Sequence, residues 1–397
     1  MRPGRPHVTK AISVADRLAG FVCEQRRAGL PQAVLHDAKR LLLNQLMTSA
    51  AAASQPAGAA LLQAARVPDA TTGPARVWWT HALVPPAQAA AVNARLCGMV
   101  AFGDTHLPSL GRFTVGIVPM LLAQADAGGH AGHAGHAGHE VLEALALGLA
   151  VDVACAGAAE LAPLGLGAAV ARCTLLGLDR TALAASLARL GDAALLDEAS
   201  ISGGLPGFGE SWHLHDIALH CRPLPVQALA PVDAVLALRS QGLLREPRLM
   251  QLGLSPQAWQ LLQTQPPSAG DDLCRGMAVA WLLGQFSLDE QEPACLDSVA
   301  VRSLASRIAL LPSAELSGIE ACSLILQFAD GTSERADVDG FLGSAGHPLS
   351  DSQLSELFRN AADDLVLPRR AGEILHALWG LDRAADSRTL TALLRRP

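Results

Sequence analysis

From Val141 to Val170 the chain runs with only three charged side chains, Glu143, Asp152 and Glu160, among alanines, glycines and regularly recurring leucines. A helix that is apolar on every side is stable where other helices surround it. The run therefore predicts a central buried helix, and its three carboxylates argue against a membrane span. Around it the helical pattern continues. Val14, Leu18, Phe21 and Val22 recur at helical spacing after Ser13, which with Asp16 forms a candidate capping box for a helix to Ala28. Leu30-Pro31 breaks and restarts the chain, and Val34, Ala38, Leu41, Leu42 and Leu46 mark a second helix over about 31–53. Similar Ala/Leu-rich helices extend to about residue 194, with loops near 67–86 and 103–115. This is the pattern of a helical bundle.

The pattern changes near Ser200. ISGGLPGFGE is rich in glycine but lacks both the GxGxxG spacing and the lysine of a phosphate-cradling loop. The prolines of CRPLP impose an extended path before a helix beginning near Ala230. Strand signals concentrate in 298–345, where the run Ala321 to Phe328 meets Asp330-Gly331, a hairpin turn leading into Ser333 to Val338. Helices return at Ser350 and at Pro368. The expected class is mainly α: a large helical domain over 1–239, a smaller α+β domain over 240–345, and C-terminal helices over 346–397 that pack back on the first part.

Length and composition narrow the function. A chain of 397 residues, 50% apolar and 17% charged, has the composition of a compact globular protein. Thirty Lys+Arg against 37 Asp+Glu give a net charge of -7 without a basic block, which disfavours nucleic-acid binding. Eight dispersed cysteines form no CxxC pair, so no zinc knuckle or dithiol site is expected. The N-terminus has no apolar h-region, and a cytoplasmic protein is expected. The triplet repeat with His130, His133, His136 and His139 reads as a surface loop able to take up metal opportunistically. His213 and His215 would share one face of a strand beside Asp216, but two ligands do not make a metal site.

Several segments carry a family resemblance. LAGFVCEQRRAGLPQAVLHDAKRLLLNQL (18–46), AAAVNARLCGMVAFGDTH (89–106), LLGLD (175–179), DAVLAL (233–238), GHPLSD (346–351) and ILHALWGLD (374–382) stand in the order of segments of the MmgE/PrpD family. That family includes 2-methylcitrate dehydratase, cis-aconitate decarboxylase and iminodisuccinate epimerase, and this chain resembles a shortened, divergent member. The resemblance implies a helical domain with a smaller domain over a cleft, a homodimer, and dehydration, decarboxylation or epimerisation of small polycarboxylates without metal or organic cofactor. Such chemistry needs a base, an acid and hydrogen-bond donors around a developing anion.

Measured against the resemblance, the polar apparatus is thin. Asp104, Thr105 and His106 match the end of the family's DFDDTH loop, while its first and middle aspartates are Ala101 and Gly103. The family's HPS reads Leu107-Pro108-Ser109, and Arg112 follows as a candidate carboxylate binder but a poor base. No histidine occurs between His139 and His213, where the family carries one, and only Lys10 and Lys39 are lysines. The segment between Leu190 and Pro206 is shorter than its family counterpart. The family's KPYP stretch becomes Arg222-Pro223-Leu224-Pro225, with His220 just before it and Leu229 at the family's histidine.

Two readings follow. In the first, the chain is a pseudoenzyme that serves as a homodimer, as the partner of an active paralogue, or as a small-polycarboxylate-binding protein. In the second, it is a lyase or isomerase with a rearranged site, in which Asp104, Thr105, His106 and His220 move protons and Arg112 and Arg222 hold the substrate carboxylates.

Overall fold

The structure, a computed structural model, describes residues 13–65, 72–128, 135–156, 165–191, 212–220, 222–266 and 268–396. The mainly α class expected from the sequence is what the described residues form. Helices α1 (Val14–Ala28), α2 (Gln32–Ser54), α3 (Pro56–Ala64), α4 (Pro86–Cys97), α5 (Thr114–Gly128), α6 (Gly138–Ala156), α7 (Leu166–Leu175) and α8 (Arg180–Gly191) make up the first half. Ser13 caps α1 by accepting from the Asp16 amide. The helix predicted to be central, α6, is buried around its circumference from Val141 to Val151, apart from half-exposed Glu143.

The largest core is organised by α2, α4, α5 and α6. It also takes in Leu354 and Phe358 of α14 (Asp351–Ala362) and Ile374, Leu375 and Leu378 of α15 (Pro368–Trp379). Ser350 opens α14 with a complete capping box shared with Gln353. Two cations of α2 tie this C-terminal segment down. Lys39 Nζ donates to Asp382 at 2.6 Å and to the Trp379 carbonyl at 3.0 Å, and Arg40 donates to Asp351 and the Leu349 carbonyl. A second, smaller core joins α1 to α6, α7 and α8.

The third core surrounds a four-stranded sheet. Strands β5 (Leu249–Leu254), β6 (Ile308–Pro312), β7 (Cys322–Gln327) and β8 (Ser333–Val338) lie in the order β6-β5-β7-β8, with β5–β6 parallel and the other pairs antiparallel. The β7–β8 hairpin turns at Asp330-Gly331 as predicted, with Gly331 at φ +83°. One face of the sheet packs on α9 (Val226–Ser240) and α11 (Ser268–Leu283), so this core reaches back past residue 240.

Several local expectations are corrected. Helix α9 starts at Val226 rather than near Ala230, because Pro225 ends the extended path and Pro231 sits inside the helix without breaking it. Strand β5 was not expected: its Leu249-Met250-Gln251-Leu252-Gly253-Leu254 has no β-branched residue, although alternate residues are buried. The loop near 67–86 contains the hairpin β1 (Ala75–Arg76) and β2 (Leu83–Val84). Asn93 of α4 buttresses this hairpin by accepting from the Trp78 amide and donating to the Arg76 carbonyl, each at 3.0 Å. The loop near 103–115 contains β3 (Gly103–His106), which pairs antiparallel with β4 (Ile217–His220). His213 to Asp216 is a left-handed residue followed by a 3₁₀ turn, not a strand.

Five of the described cysteines are buried, and all those described are unbridged. Among the described residues no helix is long and apolar enough to cross a membrane. The glycine-rich ISGGLPGFGE, the shortened segment around it, Cys221, and His130 and His133 lie outside the described residues.

Candidate active site

The short ribbon β3–β4 carries four of the six site residues singled out in the sequence. Its register places Asp104 opposite Leu219, His106 opposite Ile217, Thr105 opposite Ala218 and Gly103 opposite His220. Residues directly opposite each other share a face, and neighbours along a strand point to opposite faces. Asp104 and His106 therefore project with Ile217 and Leu219 toward the large helical core. Thr105 and His220 project with Ala218 toward the sheet core. The ribbon is the joint between those two cores, and its polar residues divide between its two sides.

Asp104 is fully buried and both its carboxyl oxygens are occupied. Oδ1 accepts from Gln45 Nε2 at 2.9 Å, and Oδ2 accepts from the Thr114 backbone amide at 3.0 Å. The second bond satisfies one of the orphan N–H groups in the first turn of α5. On the same face, the His106 Nδ1 contacts Ser109 Oγ at 2.8 Å, and its ring lies 5.8 Å from that of Phe113. Burial lowers the His106 pKa, opposed by Asp216 and assisted by His213. His106 is thus packed into its own turn, where burial disfavours its charged form.

On the other face, Thr105 Oγ1 and His220 Nε2 are 3.1 Å apart, with the donor set by the imidazole tautomer. Burial lowers the His220 pKa to about 4; the Arg112 charge adds to the shift and the Arg222 backbone opposes it. The edge of this ring meets Phe341 at 6.3 Å. A neutral imidazole and a hydroxyl can share a proton, but each has the other as its hydrogen-bond partner.

The two arginines are also engaged. Arg112 donates to the carbonyls of Val100 and Phe102 at 3.1 and 2.9 Å. Its guanidinium occupies the space beside Gly103: a Cβ there would lie 2.7 Å from Arg112 Nη2, and the φ of +143° already favours glycine. A side chain at the position of the family's middle aspartate would thus be strained and would displace the Arg112 guanidinium. Arg222 pairs with Asp233 at 2.9 Å, and Asp233 also accepts from the Leu342 amide. Both Asn44 amide atoms, Gln45 Oε1, Arg112 Nε, Thr114 Oγ1 and His220 Nδ1 are buried without a hydrogen-bond partner among the described residues. Such orphaned groups cost stability.

His213 and His215 both contact Asp216, at 2.7 and 3.3 Å, on the exposed 3₁₀ turn. Among the described residues no three His, Cys, Asp or Glu side chains are grouped to hold a metal ion. His136 lies 3.8 Å from Glu140, while His139 sits in the first turn of α6.

Comparison with known proteins shows similarity over part of the chain. A family model described as the MmgE/PrpD N-terminal domain matches residues 16–199. Residues 16–199 are thus similar to the N-terminal domain of that family. A relative from Aspergillus oryzae, named cis-aconitate decarboxylase-like protein oryM, is 28% identical over 120 residues, which is 30% of this chain and 25% of that protein. The chain therefore matches about a quarter of the length of that relative.

Asp104, Thr105, His106 and Arg112 lie inside the matched span, and His220 and Arg222 lie beyond it. Ala101 is exposed, and Leu229 is buried in the sheet core. The partners Gln45, Ser109 and Thr114, and the buried Asn44 beside them, were not singled out as site residues in the sequence. One signal was available: two amides interrupt the apolar run Leu41-Leu42-Leu43-Asn44-Gln45-Leu46 of a helix with buried leucines on all sides.

Proposed function

We propose that this chain is a catalytically degenerate MmgE/PrpD-like protein in which the residues matching the family's acid/base loop hold two cores together. The observation that carries this reading is the division of Asp104 and His106 from Thr105 and His220 across the two faces of one ribbon. Proton abstraction and anion stabilisation require their groups around one reacting atom. Here Asp104 is bound to Gln45 and Thr114, His106 to Ser109, and Thr105 to His220, whose Nδ1 is left without a partner among the described residues. In this reading the helical domain, with residues 346–397 packed on it, and the sheet domain are fixed against each other rather than parted by a catalytic cleft. The remaining role is that of a partner subunit, as a homodimer or beside an active paralogue.

The name of the Aspergillus oryzae relative supplies the substrate to test. The pure protein is incubated with cis-aconitate, citrate and 2-methylcitrate, and each is followed by proton NMR. The proposal expects no conversion above a protein-free control. Conversion by the wild type that disappears in a folded Thr105→Val variant would overturn it and restore the lyase reading. Light scattering tests the subunit role, which expects a dimer; a monomer at micromolar concentration refutes the homodimer.

A further inference from the structure

A cavity of about 360 Å³ lies beside the ribbon on its Ile217/Leu219 face, away from Thr105 and His220. It falls at the lower end of the range of ligand pockets. Three elements enclose it: the first turns of α2, the 3₁₀ turn ending at Asp216, and the loop Gly343 to Leu349. That loop is fastened to β4. Leu219 N donates to the Gly343 carbonyl at 2.8 Å, and Gly343 N donates to the His347 carbonyl at 2.7 Å. A Cβ on Gly343 would stand 2.1 Å from Leu219 O, and its φ is +102°. The wall is therefore preorganised and does not have to form around a ligand.

The lining has two chemical parts. Leu41, Leu214, Ile217, Leu219 and Leu349 form an apolar floor. The rim carries His36, Asp37, Arg40, His215 and Ser344. Two of the rim's basic side chains already have a carboxylate: His36 contacts Asp351 at 2.9 Å, and Arg40 pairs with the same residue. His215 contacts Asp216, which His213 shares. Asp37 differs, since it makes no hydrogen bond among the described residues. Burial raises its pKa, opposed by the charges of Arg40, His215 and His36. Ser344 is 3% exposed, and its Oγ also has no partner among the described residues. Histidines apart, the cavity and its immediate partners carry one basic side chain, Arg40, against the three carboxyl groups of Asp37, Asp351 and Asp216.

That balance repels the small polycarboxylates on which this family acts and attracts a cation with a hydrocarbon body. We infer that the cavity is a binding site for a small organic ammonium compound, with its charged head at the Asp37 carboxylate and its apolar body on the leucine floor. Ser344, which lines the cavity and whose Oγ has no partner among the described residues, supplies a second acceptor. Desolvation of Asp37 strengthens the pairing, because an ammonium ion replaces the water that the carboxylate lost. The inference does not depend on the ribbon being non-catalytic.

Three probes with one shared body test it: cyclohexylmethylamine, cyclohexylmethanol and cyclohexanecarboxylate. Each is titrated calorimetrically into the full chain at about pH 8, where the amine is charged and free carboxylic acids are ionised. The amine is expected to bind at least about ten-fold tighter than the alcohol, as a charge-assisted bond implies, and the carboxylate weakest of the three. Asp37→Asn is expected to fold normally, having no hydrogen bond to lose, and to bind the amine no better than the alcohol. Asp363→Asn, remote from the cavity, is expected to bind the amine like the wild type. Equal binding of the three probes, tightest binding of the carboxylate, or undiminished amine binding by a folded Asp37→Asn would each overturn the inference.

Discussion

Replacing Asp104 separates a structural role from a catalytic one, because the two roles predict effects on different observables. Asp104→Ala removes the acceptor of two buried hydrogen bonds, leaving Gln45 Nε2 and the Thr114 amide without it. Each bond to an ionised acceptor is worth about 1.5–3 kcal/mol, and the Thr114 bond also satisfies the start of α5. Part of this is returned because a buried carboxyl group is removed. The net expectation is a loss of about 3–5 kcal/mol, a large fraction of the ~5–15 kcal/mol typical of a domain. Asp104→Asn refines the test. The introduced amide oxygen still accepts from Thr114 N, and a flip of Gln45 presents its unpartnered Oε1 to the introduced N–H. The expected cost is therefore only about 1 kcal/mol. Urea denaturation at neutral pH measures both, with an unchanged m-value as the check that the same surface is exposed. A loss below about 1 kcal/mol for Asp104→Ala would refute the reasoning.

Three further outcomes are expected. His220 titrates near 4 in the folded chain against 6.5 for the ordinary side chain. The stability it supports is therefore complete above pH 6.5 and is lost as pH falls toward 4, on the order of 3 kcal/mol; His220→Gln should flatten that part of the stability–pH curve. Gly343→Ala should destabilise by more than about 2 kcal/mol, read as a lowered melting temperature, because the added methyl meets Leu219 O at a strained φ. Lys39→Met should cost about 3 kcal/mol by denaturant titration, since it leaves the Trp379 carbonyl and Asp382 without their shared cation.

Much of the architecture could be read in the sequence because it rests on local signals. The apolar run at α6, the Ser350 capping box and the Asp330-Gly331 turn each specify their element through residues a few positions apart. Strand β5 was hidden because leucine and methionine carry no strand signature, and the parallel strand beside it, β6, lies more than fifty residues further on. The ribbon was hidden for a different reason: β3 and β4 are four residues each, and neither has meaning until the chain brings them together. Asp104, Thr105, His106 and His220 were all identified as candidates, yet a sequence does not say which side of a strand pair faces which core. Their separation onto two faces, and the pairing of Arg222 with Asp233, are products of tertiary packing. Arg112 shows the same limit: its match to a carboxylate-binding role gave no sign that backbone carbonyls of Val100 and Phe102 already hold it.

The most direct test of the central claim is a high-resolution crystal structure of the protein soaked with cis-aconitate at millimolar concentration. The account predicts that Thr105 and His220 remain paired with each other, Arg112 stays on its two carbonyls and Arg222 stays on Asp233, with no acid at the ribbon. A cis-aconitate molecule contacting Thr105, His220 and Arg222 together would contradict it.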